Sequence, residues 1–272
     1  MPPGAPQPAV PRPAATVLLL RDRPDPPPGR PPLQVFLQRR VAGMAFAGGM
    51  TVFPGGGVDV TDHAEVPWTG PGPDWWGRRL ACEPDLAAAM VRAAVRETFE
   101  ECGVLLVDGL PGAGWAARAR ADLVARRRTL ADVLGDAGLV LRSDLLAAWA
   151  RWVTPEQAPR RYDTAFLVAR VPEGQLADDR TTEAIEAAWW HPADALAGRA
   201  AGEVELMAPT AHALTELAGH DGTESVLAAA AQRTVRPVIP QVRREGDRVM
   251  ITLPGEPAFE IPSGHLRPVD LR

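Results

Sequence analysis

The apolar positions of this chain fall into blocks whose lengths and spacing already suggest elements. Residues 14–20 (AATVLLL) form a continuous apolar run of strand length. Residues 33–39 (LQVFLQR) alternate, with Leu33, Val35 and Leu37 on one side. The intervening RDRPDPPPGRPP is dense in proline and charge and reads as a loop, so the two runs predict a hairpin with a long connection. GGMTVFPGGGVDV reads as a short strand entering a glycine-dense turn, and residues 63–85 as a polar insertion containing Trp and Pro. The clearest helix is 85–102 (DLAAAMVRAAVRETFEEC), with Asp85 as its N-cap and Gly103 as its stop. Beyond it, VLLV predicts a strand, 114–135 and 143–151 predict helices, 164–171 and 184–190 strands, and 192–199 and 209–232 helices. RVMITLPGEPAFEI, within the tail 236–272, predicts a terminal hairpin. Strands interleaved with helices and mostly joined as hairpins imply a mixed α/β sandwich rather than a doubly wound sheet.

Composition narrows the function classes. The 272 residues, 46% hydrophobic, suit one large domain with insertions. A net charge of −5 argues against broad binding to a nucleic-acid backbone. Every basic residue is Arg, so Arg is the only strong cation for phosphate contacts. Cys82 and Cys102 make neither a disulfide framework nor a zinc site, which points to the reducing cytoplasm. Residues 1–13 read as a disordered Pro-rich tail, and no apolar run approaches the ~18 residues of a membrane span.

Candidate chemistry lies at the end of the 85–102 helix. At about 100° per residue, Glu97, Glu100 and Glu101 share a face opposite Val91, Val95, Thr98 and Cys102. Like charges at this spacing repel, and the negative end of the helix dipole disfavours them further. A bound divalent cation reverses both effects, and hard cations such as Mg²⁺ prefer carboxylate oxygens. Before the helix stands Phe53-Pro54-Gly55-Gly56-Gly57, where glycines permit close approach to the backbone.

Arg96-Glu97-Thr98-Phe99-Glu100-Glu101-Cys102-Gly103-Val104 resembles the second half of the Nudix box, Arg-Glu-apolar-x-Glu-Glu-x-Gly-apolar, with Thr98 in an apolar slot. Phe53-Pro54-Gly55-Gly56 resembles the turn that opens the box. With Gly56 as the box glycine, the family has Glu where this chain has Asp62, and residues 63–95 fill a gap that is much shorter in the family pattern. A box split in this way resembles one Nudix branch, that of the peroxisomal coenzyme A diphosphatases and related bacterial proteins. Trp152-Val153-Thr154-Pro155-Glu156, Pro159–Thr164, Glu186–Leu196 and Leu206–Thr210 are similar to further segments of that branch.

The resemblance implies a Nudix α/β/α sandwich with a mixed sheet over residues 14–235. The 63–85 insertion, a helical segment at 110–150 and a C-terminal hairpin at 236–272 would be additions to it. It implies attack of water on a diphosphate, with Mg²⁺ or Mn²⁺ held by Glu97, Glu100 and Glu101. The general base would be Glu97 or a late-loop carboxylate, Glu183 or Glu186. Arg39, Arg40, Gly55, Gly56, Arg96 and Arg161 are the candidate substrate contacts. Coenzyme A or an acyl-coenzyme A is the expected substrate. Alternatives are ADP-ribose or a dinucleotide such as NADH, and, in another class, a non-catalytic nucleotide sensor. The partner expected is thus a small nucleotide-type molecule, with no nucleic acid and no membrane, and with a homodimer left open. The insertion, anchored beside the glycine turn and carrying Trp68, Trp75 and Trp76, is expected to form a wall or lid over the site.

Overall fold

The run at 14–20 is continuously apolar because it is buried on both faces. In the computed structural model, which describes residues 8–41, 43, 48–179, 184–245, 248–252 and 259–261, Ala15, Val17 and Leu19 enter one hydrophobic core and Leu18 and Leu20 the other. That strand, β1 (Arg12–Asp22), is followed by β2 (Leu33–Arg40), β3 (Thr51–Val52), β4 (Gly55–Gly57) and a 3-10 turn (Val60–His63). β5 (Trp68–Thr69), α1 (Pro73–Leu80), α2 (Pro84–Cys102), α3 (Ala113–Val124), α4 (Leu130–Ala137) and β6 (Leu141–Arg142) come next. Then follow β7 (Leu146–Val153), β8 (Tyr162–Arg170), β9 (Ala184–Trp190), α5 (Pro192–Ala200), α6 (Ala208–Leu217) and α7 (Thr223–Gln232). Last among the described residues come β10 (Pro237–Val238), β11 (Gln241–Glu245), β12 (Arg248–Thr252) and β13 (Phe259–Ile261).

The main sheet has the order β10-β7-β8-β1-β2-β3, with β4 on β1 and β9 on β2. It is mixed: β1 runs antiparallel to β2 and parallel to β8. Residues of α1–α4 pack on one face around the first core, and those of α5–α7 on the other around the second. The result is an α/β/α sandwich, as expected. β12 and β13 pair as an antiparallel hairpin, and β11 adds a third strand to it. No helix among the described residues is long and apolar enough to cross a membrane.

Several elements differ from the sequence reading. β1 begins at Arg12, pairing Arg12 and Pro13 with Tyr162 and Asp163, so the sheet takes in the last residues of the expected tail. Pro84 opens α2 and Glu83 is its N-cap, not Asp85. Of the helix expected at 143–151, Ser143–Leu145 form a short 3-10 turn and the rest is β7. Its alanines favour helix, but Trp149 and Trp152 are held in the second core while β8 and β10 bond its two edges, and tertiary packing overrides propensity. Residues 104–106 are fully buried but form no extended strand: Leu106 O accepts from Arg142 N of β6 at 3.0 Å, Val107 bridges Leu141, and the Gln175 side chain bonds both Leu105 N–H and C=O, at 2.8 and 2.7 Å. The long helices expected at 114–135 and 209–232 are each two. Arg126 at φ +52 and a Thr129 capping box divide the first pair. In the second, Asp22 of β1 accepts from Thr223 N at 2.8 Å and starts α7 afresh.

The insertion is a wall of the core rather than a lid. Trp76 and Leu80 of α1 are fully buried in the first core, and Trp68 donates to Pro71 O and stacks with Arg92. Arg151 of β7 fastens it: Nη1 donates to Leu80 O and Ala81 O at 2.8 and 2.7 Å, while Nε binds Asp163 at 2.7 Å. Breaking such a pair leaves buried polar groups without partners, so Arg151→Met should lower the unfolding free energy by about 3 kcal/mol. A urea titration checks this; a loss under ~1 kcal/mol, the scale of an exposed pair, would show that the clamp is solvated.

Candidate active site

Two segments distant in sequence form the site: the glycine turn at β4 and the C-terminal half of α2. β4 pairs antiparallel with β1, Ala15 opposite Gly56, which sets the turn against the helix. The two leading glycines are required for different reasons. A Cβ on Gly55 would lie 2.4 Å from Ala15 O, and a Cβ on Gly56 2.4 Å from Glu97 Oε1. The first glycine lets two strands close; the second lets a carboxylate lie on the backbone.

Arg96 organises the cluster. Its Nε and Nη2 donate to the two oxygens of Asp62 at 2.9 and 2.8 Å, and Nη2 also reaches Gly57 O at 3.0 Å. Nη1 donates to Glu97 at 2.8 Å and Glu100 at 3.5 Å. Burial opposes the guanidinium charge, but Asp62, Glu97 and Glu100 more than offset it, so its pKa is raised and it stays a cation. Asp62 therefore meets Arg96 despite the long insertion. The 3-10 turn makes this possible: Asp59 accepts from Thr61 N and donates its own N–H to Asp62 Oδ2 at 2.8 Å. Arg92 Nη1 also donates to Asp62 O at 3.2 Å, so the insertion leaves from a residue already tied to α2. Thr98, the polar occupant of an apolar slot, is fully buried and donates to Ala94 O at 2.7 Å.

Glu101 turns inward. It accepts from Gly55 N at 2.8 Å and from the Gln38 side chain, and its other oxygen lies 3.9 Å from Arg40 Nη1. Burial, then the neighbouring Glu97, push its pKa up to about 8; burial also raises that of Glu100. Among the described residues, no three His, Cys, Asp or Glu side chains converge as a ready metal cluster. The donors nevertheless fit a hard cation. They are all carboxylate oxygens on one stretch of helix, and Glu101 Oε1 is buried without a hydrogen-bond partner among the described residues. A divalent ion would compensate the charge that burial penalises here.

The remaining sequence candidates divide. Arg40 stands beside Glu101, and Arg39 is exposed with Glu186 directly opposite it on β9. Glu183 lies outside the described residues. Gly55 N–H is directed to Glu101, so this glycine holds a carboxylate. Arg161 is buried and donates from Nε to Thr154 O and from Nη1 to Ala9 O, at 3.0 and 2.8 Å. Gln38 escaped the sequence reading. Its signal was a polar residue on the β2 face it shares with Phe36, opposite the Leu33–Val35–Leu37 face, in a strand buried on both sides. Arg120 and Asp178, which close the end of α2, carried no sequence signal.

The family model for the NUDT19 Nudix domain matches residues 81–217, half of the chain. A putative nudix hydrolase 7 of Caenorhabditis elegans is 29% identical over 191 residues, covering 68% of this chain and 55% of that protein. The human acyl-coenzyme A diphosphatase NUDT19 is 27% identical over 238 residues, covering 71% of this chain and 63% of that one. The chain thus spans less than two thirds of the length of either curated relative. A solved NUDIX hydrolase from Alicyclobacillus acidocaldarius superposes with a TM-score of 0.65 at 27% identity, covering 84% of this chain and 99% of that one. With the helix, its glycine turn and the Arg96 cluster inside this common frame, the chain belongs to the NUDT19 Nudix domain family.

Proposed function

We propose that this chain is a Nudix hydrolase that cleaves the diphosphate bond of a nucleoside diphosphate-linked metabolite, with coenzyme A or an acyl-coenzyme A as its substrate. The observation that carries the chemistry is the juxtaposition of Glu97, Glu100 and Glu101 with a glycine turn that only glycine can form. The substrate follows from the name of the human relative, an acyl-coenzyme A diphosphatase. Glu97, Glu100 and Glu101 are the residues that would hold Mg²⁺ or Mn²⁺. That ion would supply charge neutralisation for the diphosphate and acidify a water.

The chain's own residues do the rest. Arg96, fixed by Asp62, sets the direction of Glu97 and Glu100. Gly55 and Gln38 hold Glu101. Glu97, against the glycine turn, accepts the proton from water; Glu186 stands opposite Arg39 on the face of the sheet turned away from α2. Arg40 ends β2 beside Glu101 and would meet substrate phosphate there, whereas Arg39 alternates to the other face of the strand.

Glu100→Gln and Glu101→Gln should each lower turnover by about 10²-fold, the scale of losing one electrostatic stabiliser, with the thermal transition retained. Near-normal turnover of both at low Mg²⁺ would overturn the metal assignment. Gly56→Ala places a methyl where the Glu97 carboxylate lies, so turnover should fall by about 10²-fold, as when a reacting group is displaced by an ångström. Unchanged kinetics would mean that Glu97 relocates without consequence. Substrate choice is read from product masses and kcat/KM on a panel of coenzyme A, an acyl-coenzyme A, NADH and ADP-ribose with Mg²⁺. Coenzyme A compounds should give the highest kcat/KM, and faster cleavage of ADP-ribose or NADH would reassign the substrate.

A further inference from the structure

The carboxylates proposed as metal ligands sit on the last two turns of α2, and Glu100 and Glu101 lie in the final turn, where four backbone carbonyls lack intrahelical partners. All four are satisfied. Gly103 N bonds Phe99 O at 3.0 Å, and Asp178 N bonds Cys102 O at 3.0 Å. The other two belong to Glu100 and Glu101, and one side chain takes both. Arg120 of α3 donates from Nε to Glu100 O and from Nη2 to Glu101 O, each at 2.9 Å. Its third nitrogen, Nη1, binds Asp178 Oδ1 at 2.6 Å, so the guanidinium is itself held in place. The site also excludes bulk: a Cβ on Gly103 would lie 3.0 Å from Arg120 Nη1.

We propose that Arg120 is a positioning residue for the metal ligands, an inference that rests on the metal assignment to Glu97, Glu100 and Glu101. Its planar fork grips the backbone of the two adjacent glutamates from outside the site. It thereby fixes where their side chains leave the helix, and its charge offsets the negative helix end that bears them. Asp178 pins the far side of the fork and bonds the next carbonyl, so α3 and the loop before β9 together clamp one turn of α2. Supporting partners of this kind commonly alter metal affinity by about 10–100-fold when removed.

Charge and position make opposite predictions, which makes the inference testable. Removing a cation near an acidic cluster would by itself tighten binding of Mn²⁺. Losing the grip on the two glutamates would weaken it. Mn²⁺ affinity of the full chain is measured by electron paramagnetic resonance of the free ion, for wild type, Arg120→Gln and Arg120→Lys. The lysine variant keeps the charge and loses the fork. Thr223→Ala is the stability control: it removes the Thr223–Asp22 bond at the start of α7, on the opposite face of the sheet.

Both Arg120 variants should bind Mn²⁺ about tenfold more weakly, while Thr223→Ala, with a comparable loss in melting temperature, keeps wild-type affinity. Wild-type or tighter Mn²⁺ binding in either Arg120 variant overturns the inference, as does an equal weakening in Thr223→Ala. A wild-type chain that binds no Mn²⁺ removes the metal assignment itself and this inference with it.

Discussion

The guanidinium of Arg96 is the contact on which the site depends. It faces three carboxylates and one carbonyl from a position that is itself largely buried. Without it, Asp62, Glu97 and Glu100 would repel one another across a poorly solvated space, and the glycine turn would lose its bond from Arg96 to Gly57 O. A buried cation among anions is tolerated only with full hydrogen bonding, and the fork geometry of Arg provides it. Asp62 completes the arrangement because its own carboxylate is fixed by the capping turn before it reaches for Arg96.

Helix α2 is consequently unlike an ordinary surface helix. It is buried along most of its length between α1, α3 and the sheet, and only Glu97 and Glu100 in its second half keep partial exposure. Its C-terminal turn concentrates negative charge where the helix dipole is least favourable to it. The structure answers with Arg96 inside the cluster, Arg40 beside Glu101 and Arg120 on the terminal carbonyls. Burial, then Glu97, still raise the pKa of Glu101 against these contacts.

The insertion shows how a motif can be divided without losing its contacts. The chain leaves immediately after Asp62, the last residue needed beside Arg96, and returns at the start of α2. Between these points it adds β5 and α1 to the first core and is fastened by Arg151. The glycine turn and the helix are held together by side chains and by β4 on β1, so their separation along the chain carries little cost to the geometry.

What the sequence determined by itself was local or periodic. The apolar strand at 14–20, the helix stopped by Gly103, and the triplet Glu97, Glu100 and Glu101 on one helix face all follow from residue type and spacing. The acidic triplet was legible because it violates local electrostatics, and such a violation needs an external reason. Tertiary structure alone decided the partners. Asp62 could not be assigned from its place in a split motif, because its contact with Arg96 spans the insertion. Alanine-rich β7 became a strand because two tryptophans had a core to fill and two neighbours had edges to bond. Arg120 and Asp178 were invisible for the same reason: closing a helix end requires only a donor in the right place, and any distant segment can supply it.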